Sequence, residues 1–237
     1  MRTGLFITGI LMVSLGTFCF AAESVEEKIK KGLESIIPDV EITSIKNTPV
    51  NDLYEVLLGP DVIYVTGNGR FVMKGDLLDL QNRRNLSEEQ RSAARTALFT
   101  NLPINEVIEF APEKTEHIVY VFTDVDCSYC RRLHRDVPVL NQHGIAIRYL
   151  AYPRAGIGSH SFDVMQAVWC ADDPKQALTK AKNGEQIQPK QCSNPVEKQY
   201  QLGQKLGIRG TPAIYLEDGE EIPGYMPPDE LLRIVRK

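Results

Sequence analysis

The chain has 237 residues, 43% hydrophobic and 24% charged, with 27 Lys and Arg against 31 Asp and Glu for a formal net charge of -4. These proportions exclude a disordered chain, a collagen and a polytopic membrane protein. No basic excess points to nucleic acid as a partner, and no long single-sign run marks an interaction tail.

Arg2 is the only charge before Glu23, residues 5–20 are almost wholly apolar, and Ala21 and Ala22 follow. This is the three-part pattern of a secretory signal peptide over residues 1–22. The run is shorter than the roughly 20 residues a membrane span needs. An uncleaved anchor is the competing reading, since hydropathy alone separates the two poorly, and the cleavage site is imperfect, with Phe20 where a small residue is preferred. Cys19 follows Phe18, which fits a lipoprotein signal badly. Export starts the mature chain near Glu23, where disulfides can persist. It leaves four cysteines: Cys127, Cys130, Cys170 and Cys192.

Val25, Ile29, Leu33, Ile36 and Ile37 recur at helical spacing and predict a helix over 25–37, ended by Pro38. Val40, Ile42, Tyr54, Val56 and Leu58 alternate with polar neighbours, as half-buried strands do. Residues 62–65 and 71–73 flank Thr66-Gly67-Asn68-Gly69-Arg70, a hairpin signal. Gly67-x-Gly69 is not a phosphate loop, since no third glycine follows and no helix opens there. Residues 23–84 are too few to bury a large core, and their strands leave edges to cover. Pairing with a second copy would serve both needs, so this segment is expected to be a dimerisation domain. Ser87-Glu88-Glu89-Gln90 has the pattern of a capping box. Residues 85–100 therefore read as a stiff helical linker.

Residues 101–237 form the second unit. An apolar run over 117–122 has strand length, an amphipathic stretch follows through Leu133, Val137 and Leu140, and Gly144 breaks it. Ile145, Ile147 and Tyr149 alternate as the next strand. Strand, helix and strand make a βαβ unit with parallel strands. Residues 159–206 read as a helical insertion, broken at Pro174, Gly184 and Pro195. Asp218-Gly219 turns a hairpin between 213–216 and 221–222, and a helix from Asp229 closes the chain. The fold class is mixed α/β, α+β over the whole chain.

Cys127-Ser128-Tyr129-Cys130 stands at the junction of that strand and helix. A helix N-terminus carries unpaired N–H groups and a partial positive charge, which lower a cysteine pKa from about 8.5 to roughly 3.5–7.5. Arg131 and Arg132 would add to the effect if they face the sulfur. Cys127 is expected to be the exposed nucleophile, and Cys130 the thiol that attacks a mixed disulfide and releases the partner. Covalent haem is excluded, because Arg131 occupies the place of the required histidine. Zinc would need Cys170 and Cys192 as further ligands, at the wrong spacing for a zinc ribbon. His134, four residues after Cys130, reads as easily as a surface residue. No cofactor is implied. A disulfide between Cys170 and Cys192 would close a loop of about twenty residues, and a second redox pair is the other reading of those two. Trp169 reads as core. Thr211-Pro212 precedes a strand, an ordinary place for proline; beside a C-x-x-C, a cis bond is the sharper reading.

These motifs, with Phe122-Thr123-Asp124, residues 148–154, Trp169-Cys170-Ala171, residues 207–212 and 223–228, resemble the periplasmic disulfide isomerases of the DsbC/DsbG family. The resemblance is closest to the DsbC branch. It implies a V-shaped homodimer with two thioredoxin-like domains across an apolar cleft. Cys127 is then the attacking thiol, Cys130 the resolving thiol, and Thr211 and Pro212 a cis-proline loop. That loop binds substrate beside Ser128 and Tyr129, and Cys170–Cys192 is a structural disulfide. The implied partners are misfolded exported proteins and a membrane reductant of the DsbD type, with chaperone activity besides. The sequence departs from the family at Ser128, where glycine is familiar. Cytosolic thioredoxin has a buried acid at the place of Val121, and Asp124 and Asp126 are not obvious substitutes, so the Cys130 proton has no named acceptor. The competing readings are a DsbG-like reductase of single oxidised cysteines, a dithiol oxidase, and a chaperone with secondary thiols.

Overall fold

The computed structural model describes residues 23–236. The signal-peptide reading of residues 1–22 lies outside the described residues. Among those described, no helix is long and apolar enough to cross a membrane.

Helix α1 (Val25–Glu34) starts in a capping box between Ser24 and Glu27. It lays Ile29 and Leu33 on Val56, Ile63 and Val65. Those residues belong to an antiparallel sheet of β1 (Ser44–Asn47), β2 (Leu53–Leu58), β3 (Asp61–Thr66) and β4 (Val72–Met73), in that order. The helix stops before the predicted Ile37, and Ile36 is exposed. Pro38 disfavours the helical conformation in the residue before it, and the N–H groups of Ile36 and Ile37 instead share the Leu33 carbonyl. Gly32 and Gly69 let α1 cross the β3–β4 turn closely: a Cβ on Gly32 would stand 2.1 Å from the Gly69 carbonyl oxygen. Strand β4 is one edge of the sheet, and Val72 and Met73 on it, with Phe71 just before it, are exposed.

A ribbon of β5 (Leu78–Asp79) and β6 (Arg84–Asn85) leads into α2 (Leu86–Thr100). The cap of α2 is Asn85, whose side chain accepts from the Glu88 N–H at 3.0 Å. The predicted cap, Ser87, is fully buried inside the helix. Its hydroxyl accepts from the Leu77 N–H at 2.8 Å and pairs with the Tyr64 hydroxyl, so it ties the linker to β3. Farther along, α2 docks on the second unit. Buried Arg95 donates to the Gly219 carbonyl at 2.7 Å, pairs with Glu88 and lies over the Tyr215 ring. Phe99 stacks on Tyr120, with ring centroids 4.6 Å apart. Arg95→Ala removes charge-assisted hydrogen bonds from a buried site, worth about 1.5–3 kcal/mol. A drop of that size in the denaturant-extrapolated stability is expected, with the Phe99 stack left in place.

The second unit centres on a five-stranded sheet. Its strands are β7 (Ile108–Phe110), β8 (His117–Thr123), β9 (Ile145–Ala151), β10 (Ala213–Leu216) and β11 (Glu221–Ile222), in the order β11-β10-β8-β9-β7. β8 and β9 are parallel and joined by α3 (Ser128–Gln142), which makes the βαβ unit. Strand β7 has only three residues, too few to show a period in the sequence. The helices α4 (His160–Trp169), α5 (Pro174–Lys182), α6 (Val196–Lys205) and α7 (Pro228–Val235) complete the unit. Pro174 opens α5 at its first turn, where its missing N–H costs nothing.

Candidate active site

Parallel strands deliver their loops to one end of the sheet, and the site lies there, beyond the C-terminal end of β8. Cys127 is the N-cap of α3, and its sulfur accepts the Cys130 backbone N–H at 3.2 Å. Across from it the Thr211–Pro212 bond is cis, and the Cys127 sulfur stands 3.1 Å from the Thr211 carbonyl oxygen. That carbonyl covers Cys127, which is 3% exposed rather than open to solvent as expected, and Cys130 is fully buried. Both thiols are free.

The two thiols are driven apart in acidity. A hydrogen bond from Cys130 lowers the Cys127 pKa most, outweighing its burial. The Thr211 side chain, the N–H of Cys130 and the charge of Arg154 add to this, in that order, and Cys127 falls to about 5. Burial pushes Cys130 strongly up, and its bond to Cys127 pushes it further. At neutral pH the pair therefore holds one thiolate and one thiol, with the negative charge on Cys127, which faces the cis-proline loop.

The cation beside Cys127 is not one of the two arginines next to the motif. Arg131 turns to the Val125 carbonyl at 2.9 Å, and Arg132 lies over the Tyr225 ring at 4.8 Å. Arg154, from the loop after β9, serves instead. Its Nε donates to Asp124 at 2.9 Å and its backbone N–H to the same oxygen at 3.0 Å. The other Asp124 oxygen accepts from Ser161 at 2.5 Å and from the Asp126 N–H at 2.8 Å. Asp124 thus becomes a positioning residue that sequence reasoning set aside. Asp124 and Arg154 follow the C-terminal ends of adjacent parallel strands, the signal that would have paired them.

Ser128 and Tyr129 are exposed, and Tyr129 stacks on Tyr225 with centroids 6.0 Å apart. A groove of about 470 Å³ runs along residues 207–213 and 221–224, past Thr211 and Pro212. The Thr211 side chain is part of this loop and lowers the pKa of both thiols. His134 is buried, not superficial: it pairs with the Tyr149 hydroxyl at 3.1 Å and Thr179 at 3.0 Å, and burial lowers its pKa to about 4. Trp169 is partly buried against the core and donates to the Glu106 carbonyl at 2.9 Å. No cluster of three or more His, Cys, Asp or Glu fit for a metal occurs among the described residues.

Cys170 and Cys192 are joined by a disulfide across 22 positions. It ties the end of α4 to the irregular segment before α6. By chain-entropy arithmetic a loop of that length is worth about 3 kcal/mol. Replacing both cysteines with serine should lower the denaturation free energy by that amount and leave Cys127 alkylation unchanged.

A free dithiol on a helix N-terminus, faced by a cis-proline loop on a thioredoxin-like sheet, defines a thiol–disulfide oxidoreductase. A thioredoxin-like domain model matches residues 104–237, and a model of the disulfide bond isomerase N-terminal domain matches residues 20–88. The chain is 32% identical over 230 residues to the thiol:disulfide interchange protein DsbC of Dickeya dadantii, covering 95% of this chain and 94% of that one. It is 33% identical to DsbC of Haemophilus influenzae, over 92% of this chain and 95% of that one. A crystal structure of a disulfide interchange protein from Neisseria gonorrhoeae superposes with a TM-score of 0.51 at 26% identity, over 57% of this chain and 99% of that one. The chain belongs to the DsbC family of thiol:disulfide interchange proteins.

Proposed function

We propose that this protein rearranges incorrect disulfides in exported proteins, with Cys127 as nucleophile and Cys130 as resolving thiol. The observation that carries this reading is a free dithiol on the first turn of α3, with the Cys127 sulfur accepting the Cys130 N–H and facing the cis-proline loop at Thr211. Cys127 attacks a substrate disulfide, forms a mixed disulfide and releases one substrate thiolate. That thiolate attacks elsewhere in the substrate and frees Cys127, or Cys130 closes the Cys127–Cys130 disulfide and reduces the substrate. The substrate segment lies along Thr211 and Pro212, with Ser128 and Tyr129 at its side.

In this reading residues 23–84 pair two copies, the linker 85–100 sets the distance between sites, and residues 101–237 carry the chemistry. The exposed edge strand β4, with Phe71, Val72 and Met73, supports pairing by strand addition. A leader over residues 1–22 places the protein in the periplasm, where a membrane reductant of the DsbD type keeps the dithiol reduced. The apolar cleft between two copies also holds unfolded chains, so a Cys127→Ala, Cys130→Ala double variant is expected to suppress aggregation as the wild type does.

The test of the thiol assignments is trapping. Incubated with a scrambled disulfide protein, Cys130→Ala should accumulate a covalent complex through Cys127 that dithiothreitol dissolves. A complex linked through another cysteine, or none, would contradict the assignment.

A further inference from the structure

Tyr129, Arg132 and Asp136 stand at i, i+3 and i+7 on α3 and so share one face of that helix. All three meet Tyr225, which comes from the loop between β11 and α7. The Tyr129 and Tyr225 rings stack, with 6.0 Å between centroids and 27° between planes. The Arg132 guanidinium lies over the Tyr225 ring, and the Tyr225 hydroxyl donates to Asp136 at 2.9 Å. Tyr225 also packs, partly buried, against the core of the second unit. Core packing, hydrogen bond and cation thus hold Tyr225 in place, whereas Tyr129 is 58% exposed.

We propose that Tyr129 and Tyr225 form an aromatic shelf that favours substrates with an aromatic side chain one or two positions from the cysteine under attack. This deepens the dithiol reading above and rests on it.

Reach determines which substrate residues meet the shelf. Interchange brings a substrate cysteine sulfur to the Cys127 sulfur. Tyr129 lies two residues from Cys127, on the first turn of α3, where the helix rises about 1.5 Å per residue. An extended substrate advances roughly 3.3 Å per residue. The side chains flanking the substrate cysteine therefore pass within reach of the Tyr129 ring. The groove along the cis-proline loop is lined as far as Pro223 and Gly224, and Tyr225 is the next residue. The shelf joins that groove to the thiol motif.

Ring chemistry determines what the shelf takes. A second ring laid on an exposed tyrosine gains buried area and a ring–ring contact beyond it. An aliphatic side chain gains the area alone. Tyr129 is backed by Tyr225, and Tyr225 is tied to Asp136, so a bound ring orders little in the protein. Tyrosine gives this contact at low conformational cost. A substrate cation is disfavoured, because Arg132 already lies over Tyr225 and repels a second positive charge.

The experiment uses short peptides that carry one cysteine as a mixed disulfide with 5-thio-2-nitrobenzoate. They differ at a single position, one or two residues to either side of the cysteine, which holds phenylalanine, leucine or arginine. Cys127 bonds the peptide sulfur, the peptide–thionitrobenzoate bond breaks, and the low-pKa aromatic thiolate leaves with the electron pair and is read by its colour. The readout is the ratio of second-order rate constants for phenylalanine over leucine peptides, in wild type, Tyr129→Leu, Tyr225→Leu and Tyr225→Phe. In wild type it should reach about three- to tenfold at the best position. The difference should lie in the half-saturating concentration, not in the limiting rate, and arginine peptides should fall below phenylalanine ones. Tyr129→Leu should bring the ratio to about one. Tyr225→Leu should lower it as well, while Tyr225→Phe keeps the ring and should keep the ratio.

General loosening of the site would slow all peptides by one factor and leave the ratio intact. An undiminished ratio in Tyr129→Leu would therefore overturn the proposal. So would phenylalanine and leucine peptides reacting alike with wild type at every position, or a preference for arginine. Tyr129 lies on an exposed first turn, so its variant tests the proposal even where Tyr225→Leu fails to fold. No release from any peptide, or release that survives Cys127→Ala, would overturn the dithiol reading itself, a result distinct from these.

Discussion

Alkylation of Cys127 by iodoacetamide is expected to be half-maximal near pH 5 and flat above pH 7, while Cys130 stays unreactive throughout. The midpoint follows from the Cys130 hydrogen bond and the helix N-terminus acting on Cys127. The benefit of this shift is not faster attack at pH 7. Relative to a cysteine of pKa about 8.5, the thiolate fraction rises about thirtyfold, but intrinsic nucleophilicity falls by a similar factor at a Brønsted slope of about 0.45. Leaving-group ability has no such offset. An isomerase must be displaced from each mixed disulfide it makes, and a low-pKa sulfur leaves fastest. The same shift stabilises the reduced fold. The depressed Cys127 contributes fully above its unfolded value of about 8.5, contributes about 2–3 kcal/mol at pH 7, and loses the remainder as pH falls through about 5. Chemical denaturation of reduced protein should show that slope between pH 5 and 8, and Cys127→Ala should remove it. A Cys127 midpoint above pH 8 would contradict the geometry of the site.

Asp124→Ala is expected to cost about 1–3 kcal/mol of stability, since it strands the buried Ser161 hydroxyl and removes the carboxylate that holds the half-exposed Arg154 in place. Burial alone would raise the Asp124 pKa, but the hydrogen bonds from Ser161, Arg154 and Asp126 outweigh it and hold the carboxyl below its usual range. Its contribution is therefore present above about pH 4 and is lost as pH falls through the depressed value. Freed from Asp124, the Arg154 guanidinium no longer stands fixed near Cys127, so the alkylation midpoint should move upward. Denaturation and alkylation profiles of Asp124→Ala check both effects. Unchanged stability would show that the four hydrogen bonds to Asp124 are not formed in solution.

The fold was legible where local chemistry sets it. The apolar run ending at Thr123, the break at Gly144 and the alternation after it gave the βαβ unit, because each signal lies within one element. The cysteine motif on the first turn of α3 was readable for the same reason. Long-range geometry was not. Ser87 has the chemistry of a cap, but β6 extends to Asn85 and Tyr64 buries the serine hydroxyl. Arg131 and Arg132 adjoin Cys130 in sequence, yet each is drawn to another partner, and the cation at Cys127 arrives from the loop after β9. Tyr225 reaches Tyr129 from the loop before α7, 95 positions beyond Cys130. Its place beside the motif was not readable, because a ring stack between distant elements leaves no local pattern. The cover over Cys127 has the same origin, since a peptide carbonyl at Thr211 carries no side-chain signature.

The central claim is that the Cys127 thiolate rearranges wrong disulfides. Its most direct measurement is the recovery of native activity from a scrambled multi-disulfide substrate, with Cys127→Ala as control. Recovery is expected with the wild type and none above background with the variant. Failure of the wild type to restore activity, with rapid oxidation or reduction of simple dithiol substrates instead, would contradict it.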